Sequence, residues 1–125
     1  DRFKSVNDIY GHDEGDIVIR RVAERLTAHV SRYGLLGRTG GEEYLAVVVT
    51  SRLHIDALVH GIRRALHDPD DEVPVTVSVG AAILYAESDR WHIDSDTVAT
   101  ATRAADSMMY QAKAAGRNRV ERSAA

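Results

Sequence analysis

Cysteine is absent from the 125 residues, Phe and Trp occur once each, and proline occurs twice. Without thiols the chain can form no disulfide framework, thiolate zinc site or cysteine nucleophile, and a reducing compartment is permitted. Long apolar runs are missing too. Runs such as Tyr44 to Val49 are far short of the roughly 20 residues that span a bilayer, and no signal-peptide pattern is present. Nor is there a basic excess: 16 Lys+Arg against 19 Asp+Glu give a formal charge of −3. That excludes a protein whose affinity comes from coating a nucleic-acid backbone. What the chain does have is 44% apolar residues, enough for one soluble globular domain over 1–125 with no room for a second. It opens on Asp1 rather than Met and is read as a piece of a longer protein. This segment is expected in the cytoplasm, with no membrane contact of its own, while the parent can be anchored elsewhere.

Apolar periodicity organises the rest. Val18, Ile19, Val22, Ala23, Leu26 and Val30 recur at three- and four-residue steps, the stripe of an amphipathic helix with Asp16 as N-cap. Leu35 to Thr39 and Glu43 to Val49 read as strands of a hairpin around Gly40-Gly41, a pair able to supply positive φ angles. Ile55, Leu58, Val59, Ile62, Ala65 and Leu66 restore helical spacing until Asp68-Pro69-Asp70-Asp71 ends it. Strand alternation runs from Val73 to Ile83. Asp96-Thr97 can cap a last helix carrying Val98, Ala101, Ala105, Met108, Met109 and Ala112, stopped by Gly116 and followed by a strand from Asn118 to Arg122. This order predicts an α+β or α/β arrangement of one sheet with helices on it.

Three places can carry chemistry. In Arg38-Thr39-Gly40-Gly41-Glu42-Glu43 two carboxylates follow two glycines: this is a solvated turn, or a close approach for a bulky ligand beside a carboxylate suited to Mg²⁺ and phosphates. In the opening segment, read as a loop, Asn7 and Asp16 either make a turn and a cap or together read the Watson–Crick edge of a purine. Guanine's N1–H and N2–H₂ would suit the carboxylate. Lys113 and Arg117, four apart and read as sharing one helix face, either complement the helix C-terminus or hold a triphosphate. No P-loop and no G-x-S-x-G is present, and the histidines show no metal-ligand spacing.

Together these residues resemble the GGDEF family of diguanylate cyclases. Phe3 to Asp16 follows that family's opening pattern F-K-x-[IV]-N-D-x-[YF]-G-H-x-x-G-D, and Gly40-Gly41-Glu42-Glu43-Tyr44 follows its signature. Thr76-Val77-Ser78-Val79-Gly80 follows T-[VI]-S-[IV]-G, and Ala105 to Asn118 follows its closing pattern. The resemblance implies a palm-like sandwich related to nucleotidyl cyclases, with a central, mostly antiparallel sheet flanked by helices. It implies condensation of two GTP into cyclic di-GMP with release of two pyrophosphates, by a homodimer using Mg²⁺ or Mn²⁺, under an unseen N-terminal sensory or regulatory domain. Carried over by position, Asn7 and Asp16 recognise guanine, Phe3 and Lys4 lie near the triphosphate, and Gly40 and Gly41 form the turn under the nucleotide. Glu42 holds the metal and supports attack by the 3′-hydroxyl, Glu43 is a further signature acid, and Lys113 and Arg117 contact the triphosphate. The alternative is a catalytically silent GGDEF module that binds GTP or serves dimerisation and regulation.

Two departures from the pattern carry expectations. Asp1 aligns with the later acid of a D-x-D-x-F-K element, so the earlier, metal-bearing acid and the strand that holds it would precede this chain, leaving residues 1–125 weakly active or inactive alone. Where the family's product-inhibition site reads R-x-x-D, this chain has Ser31-Arg32-Tyr33-Gly34, so neither charged residue of that motif is in place.

Overall fold

The computed structural model describes residues 1–85 and 93–123, which fall into two compact units, Asp1–Thr76 and Val77–Ala125. In the first, the opening segment is helical and not a loop: α1 runs Phe3–Tyr10 and α2 runs His12–Val30. Gly11, at φ 89°, breaks the two apart and donates its N–H to the Asn7 carbonyl at 2.9 Å. Such a φ costs glycine nothing and strains other residues. Gly11 therefore occupies the N-cap position of α2. The expected cap, Asp16, lies inside the helix and is exposed, while Asp13 and Glu14 hold the first turn, where negative charge suits the helix dipole.

Val18, Val22, Leu26 and Val30, one helical turn apart, form the inward stripe of α2. Val18, Leu26 and Val30 are buried, and Val18 clusters with Val6 of α1 and Val73, with Phe3, Val22 and Val75 packed around them. Helix α3, Ile55–Leu66, adds Val59, Ile62 and Leu66. Each such side chain withdrawn from water contributes about 1.5–3 kcal/mol, so this stripe is the main stabilising feature of the unit. Arg25 of α2 grips Asp71 with both terminal guanidinium nitrogens, Nη1 and Nη2, at 2.7 and 2.8 Å. Arg21, one turn earlier, donates to the Val73 carbonyl at 2.6 Å. The hydrogen bond from Arg25 holds the Asp71 carboxyl below the usual carboxylate range.

Strands β1 (Gly34–Gly40) and β2 (Glu43–Val48) form the expected antiparallel hairpin. The register changes between Arg38, opposite Tyr44, and Gly40, opposite Glu43. Of the two glycines at the tip only Gly41 has positive φ, 49°, since the turn itself falls on Gly41-Glu42. At the other end β1 and β2 approach so closely at Gly34 that an added Cβ would overlap the Val47 carbonyl oxygen and sit 2.8 Å from Val48 Cα. Residues 73–78 join no strand ladder, although the Asp1 backbone nitrogen donates to the Thr76 carbonyl at 2.9 Å and the Thr76 hydroxyl to the Asp1 carboxylate at 2.7 Å. Alternation predicts an exposed-and-buried pattern there, but a strand also needs a continuous backbone partner.

The second unit pairs β3 (Val79–Ala81) with β4 (Val120–Arg122), in parallel, so among the described residues antiparallel pairing is confined to the hairpin. Helix α4, Ser95–Ala114, packs on both strands. Asp94, and not Asp96, caps it by accepting from the Thr97 N–H at 2.8 Å. Gly80 of β3 lies directly under α4: a Cβ there would overlap the Ala105 carbonyl oxygen and the Met109 amide nitrogen, and sit 2.8 Å from Met109 Cα. Gly116 (φ 117°), Arg117 (φ 66°) and Asn118 (φ 46°) turn the chain out of the helix. Arg117 consequently lies beyond α4, its N–H returning 2.9 Å to the Ala112 carbonyl, and does not share a helical face with Lys113.

Candidate functional site

The corner between α1 and α2 brings Phe3, Asn7 and Gly15 together. Asn7 is one turn before Gly11, whose carbonyl accepts from the Gly15 N–H at 3.0 Å. This places Gly15 back against α1. A Cβ on Gly15 would coincide with Asn7 Oδ1 and come within 3.0 Å of Asn7 Cγ and 3.3 Å of Phe3 Cζ. The half-buried Asn7 is thereby seated against the start of α2, and Asp16, which follows Gly15 in the chain, is exposed. Lys4 is also exposed. The corner thus offers a carboxamide, a carboxylate and a cation on one short stretch of chain.

At the hairpin tip, Arg38 Nε donates to the Gly41 carbonyl at 2.7 Å and the Thr39 hydroxyl to the Glu43 carbonyl at 3.3 Å. The turn is thereby closed by side chains as well as by the ladder. Glu42 and Glu43 are both exposed. Tyr44 donates its hydroxyl to the Ile19 carbonyl of α2 at 3.4 Å, which ties the signature turn to the helix that carries Asp16. Arg38 and Tyr44, read from the sequence only as members of the hairpin strands and the signature, therefore hold the turn in place. In the second unit Lys113, in the last turn of α4, and Arg117, after it, are both half-buried.

Among the described residues no group of three His, Cys, Asp or Glu side chains could enclose a metal ion. Glu42 is instead a single exposed hard-oxygen donor. That fits Mg²⁺, which keeps several waters and is bound through one or two carboxylates plus substrate phosphates, and does not fit a resident all-protein cage.

Over residues 1–119 the sequence matches the family described as "Diguanylate cyclase, GGDEF domain". The chain belongs to the GGDEF family. This GGDEF domain is 36% identical over 129 residues to the response regulator PleD of Caulobacter vibrioides (strain NA1000 / CB15N), which covers 96% of the chain and 27% of PleD. It is 32% identical over 126 residues to the diguanylate cyclase DgcZ of Escherichia coli (strain K12), covering 95% of the chain and 40% of DgcZ. The active GGEEF domain of a diguanylate cyclase from Vibrio cholerae superposes with a TM-score of 0.81 at 29% identity, covering 100% of this chain and 78% of that one. The fold is accordingly the mixed, palm-like α and β fold of GGDEF domains, and the family match extends across both compact units. The chain spans well under half the length of these two curated relatives. No helix among the described residues is long and apolar enough to cross a membrane.

Proposed function

We propose that this GGDEF domain is one half-site of a diguanylate cyclase, acting in the cytoplasm. Each of two domains holds one GTP. The 3′-hydroxyl oxygen of each nucleotide bonds to the α-phosphorus of the other, the proton leaves toward the Glu42 side and pyrophosphate departs. Two such attacks close cyclic di-GMP, so the two domains face each other about a two-fold axis. The observation that carries this reading is the hairpin tip, in which Gly40-Gly41-Glu42-Glu43-Tyr44 is complete, Glu42 is exposed and Arg38 and Tyr44 anchor the turn.

The chain's own residues then have these tasks. Asn7 and Asp16 select guanine, and Gly40 and Gly41 let the backbone approach the nucleotide. Phe3, Lys4, Lys113 and Arg117 orient and neutralise the triphosphate, and Glu43 keeps the turn acidic. Mg²⁺ or Mn²⁺, held by Glu42, supplies positive charge against the phosphates. Phosphoryl transfer asks for little more than positioning and charge stabilisation.

The test incubates the protein with GTP and Mg²⁺ and analyses the mixture chromatographically for cyclic di-GMP. Product forms at a rate that rises faster than linearly with protein concentration, and Glu42→Gln stops it. A protein that binds GTP but makes no product would instead mean a silent module for GTP binding or dimerisation.

A further inference from the structure

Gly15 has ordinary helical backbone within α2, so its lack of a side chain serves space and not conformation. The space is occupied. Asn7 Oδ1 fills the position of the missing Cβ, with Asn7 Cγ and Phe3 Cζ close behind. An amide oxygen is well placed against a Cα–H, with which it makes a weak hydrogen bond, whereas an NH₂ there would bury its donors against carbon. The carboxamide is therefore seated oxygen inward, which leaves Nδ2 as its outward end. Asp16, whose Cα is about 3.8 Å from that of Gly15, is exposed and presents only acceptors.

We infer that Gly15 is a positioning residue for nucleotide selection: the gap at its Cα seats Asn7 Oδ1, so that a donor at Asn7 stands beside an acceptor at Asp16. This pairing matches guanine, which offers O6 as acceptor and N1–H and N2–H₂ as donors. Adenine offers the reverse, an amino donor and an N1 acceptor, and leaves both protein groups unpaired. The inference rests on the assignment of Asn7 and Asp16 proposed above and adds the residue that sets the amide's orientation.

The experiment measures binding of GTP and of ATP by calorimetry, and thermal midpoints, for the full chain and its Gly15→Ala, Asn7→Ala and doubly substituted forms. Gly15→Ala weakens GTP about tenfold, the worth of one good hydrogen bond, leaves ATP unchanged, and lowers the midpoint. Asn7→Ala causes the same loss of GTP preference. The double variant binds no more weakly than either single one and melts above Gly15→Ala, because an alanine at 7 vacates the contested space. Should Gly15→Ala fail to fold, the double variant still decides through its midpoint and its GTP-to-ATP ratio. A wild-type ratio in Gly15→Ala beside a lost one in Asn7→Ala overturns the inference, and so does a double variant whose midpoint falls by the sum of the single effects. Unchanged preference in Asn7→Ala sinks the underlying assignment instead. That failure is distinguishable because the midpoint rescue persists.

Discussion

Replacing Gly80 by alanine adds one methyl group beneath α4, and what it meets decides the outcome. The colliding atoms are the Ala105 carbonyl oxygen and the amide nitrogen and Cα of Met109. All are main chain, so no side-chain rotation can clear them and the helix must move off β3. Overpacking of this kind costs about 1–3 kcal/mol, and the backbone nature of the clash points to the upper end. Gly61 supplies the matched control: it lies inside α3 with nothing within 4 Å of an added Cβ. There alanine should stabilise by about 0.5–1 kcal/mol, since glycine is a poor helix former. At roughly 4 °C per kcal/mol for a chain of this size, the two variants should melt about 10–15 °C apart, on opposite sides of the wild type. Circular dichroism at a helix wavelength reads both. A Gly80→Ala protein that melts with the wild type would show that α4 and β3 are not in contact as described, and the reasoning would fail.

Three further outcomes are expected. The Asp71 carboxyl is held low by its hydrogen bond from Arg25, and Asp94 by its bond from Thr97. Because both values are lower folded than unfolded, the stability they contribute is complete above the unfolded carboxylate value of about 3.9 and is lost as pH falls through the lower folded values. An Asp71→Asn protein should show a shallower decline in thermal midpoint below pH 4, and an unaltered acid limb would remove the pair from that role. Asp16→Asn should erode the preference for GTP over ATP in competition binding, and intact discrimination would place Asp16 outside the site. Cyclic di-GMP should bind weakly or not at all outside the active site, because Ser31 and Gly34 offer neither a cationic fork nor a carboxylate. Tight calorimetric binding to Glu42→Ala that Arg32→Ala abolishes would show instead that Arg32, with Arg63 or Arg64 of α3, restores the site in shifted register.

Helix α3 and the hairpin were legible because their signals are local: a three-and-four stripe bounded by Asp68-Pro69, and two apolar runs about a glycine pair. The helix α1 was not, since only Val6 of its residues is buried and a single inward side chain makes no stripe. The long strand expected from Val73 to Ile83 shrank to Val79–Ala81, because alternation reports side-chain facing and says nothing of whether a neighbour pairs the backbone. Asp94 and Asp96 are chemically equivalent caps on paper, and only the reach to the Thr97 N–H separates them. At the site, the motif residues could be named in order, yet the contact of Asn7 with Gly15 and the grip of Arg25 on Asp71 are tertiary. No spacing rule carries them.

The crowding at Gly34 also bears on what the hairpin can carry. The first carbon of any side chain at 34 lands on the Val47 carbonyl, so on this backbone a carboxylate there requires β2 to retreat. Charge at this end of β1 is therefore coupled to the spacing of the strand pair, and an acid at 34 demands a shift of both strands.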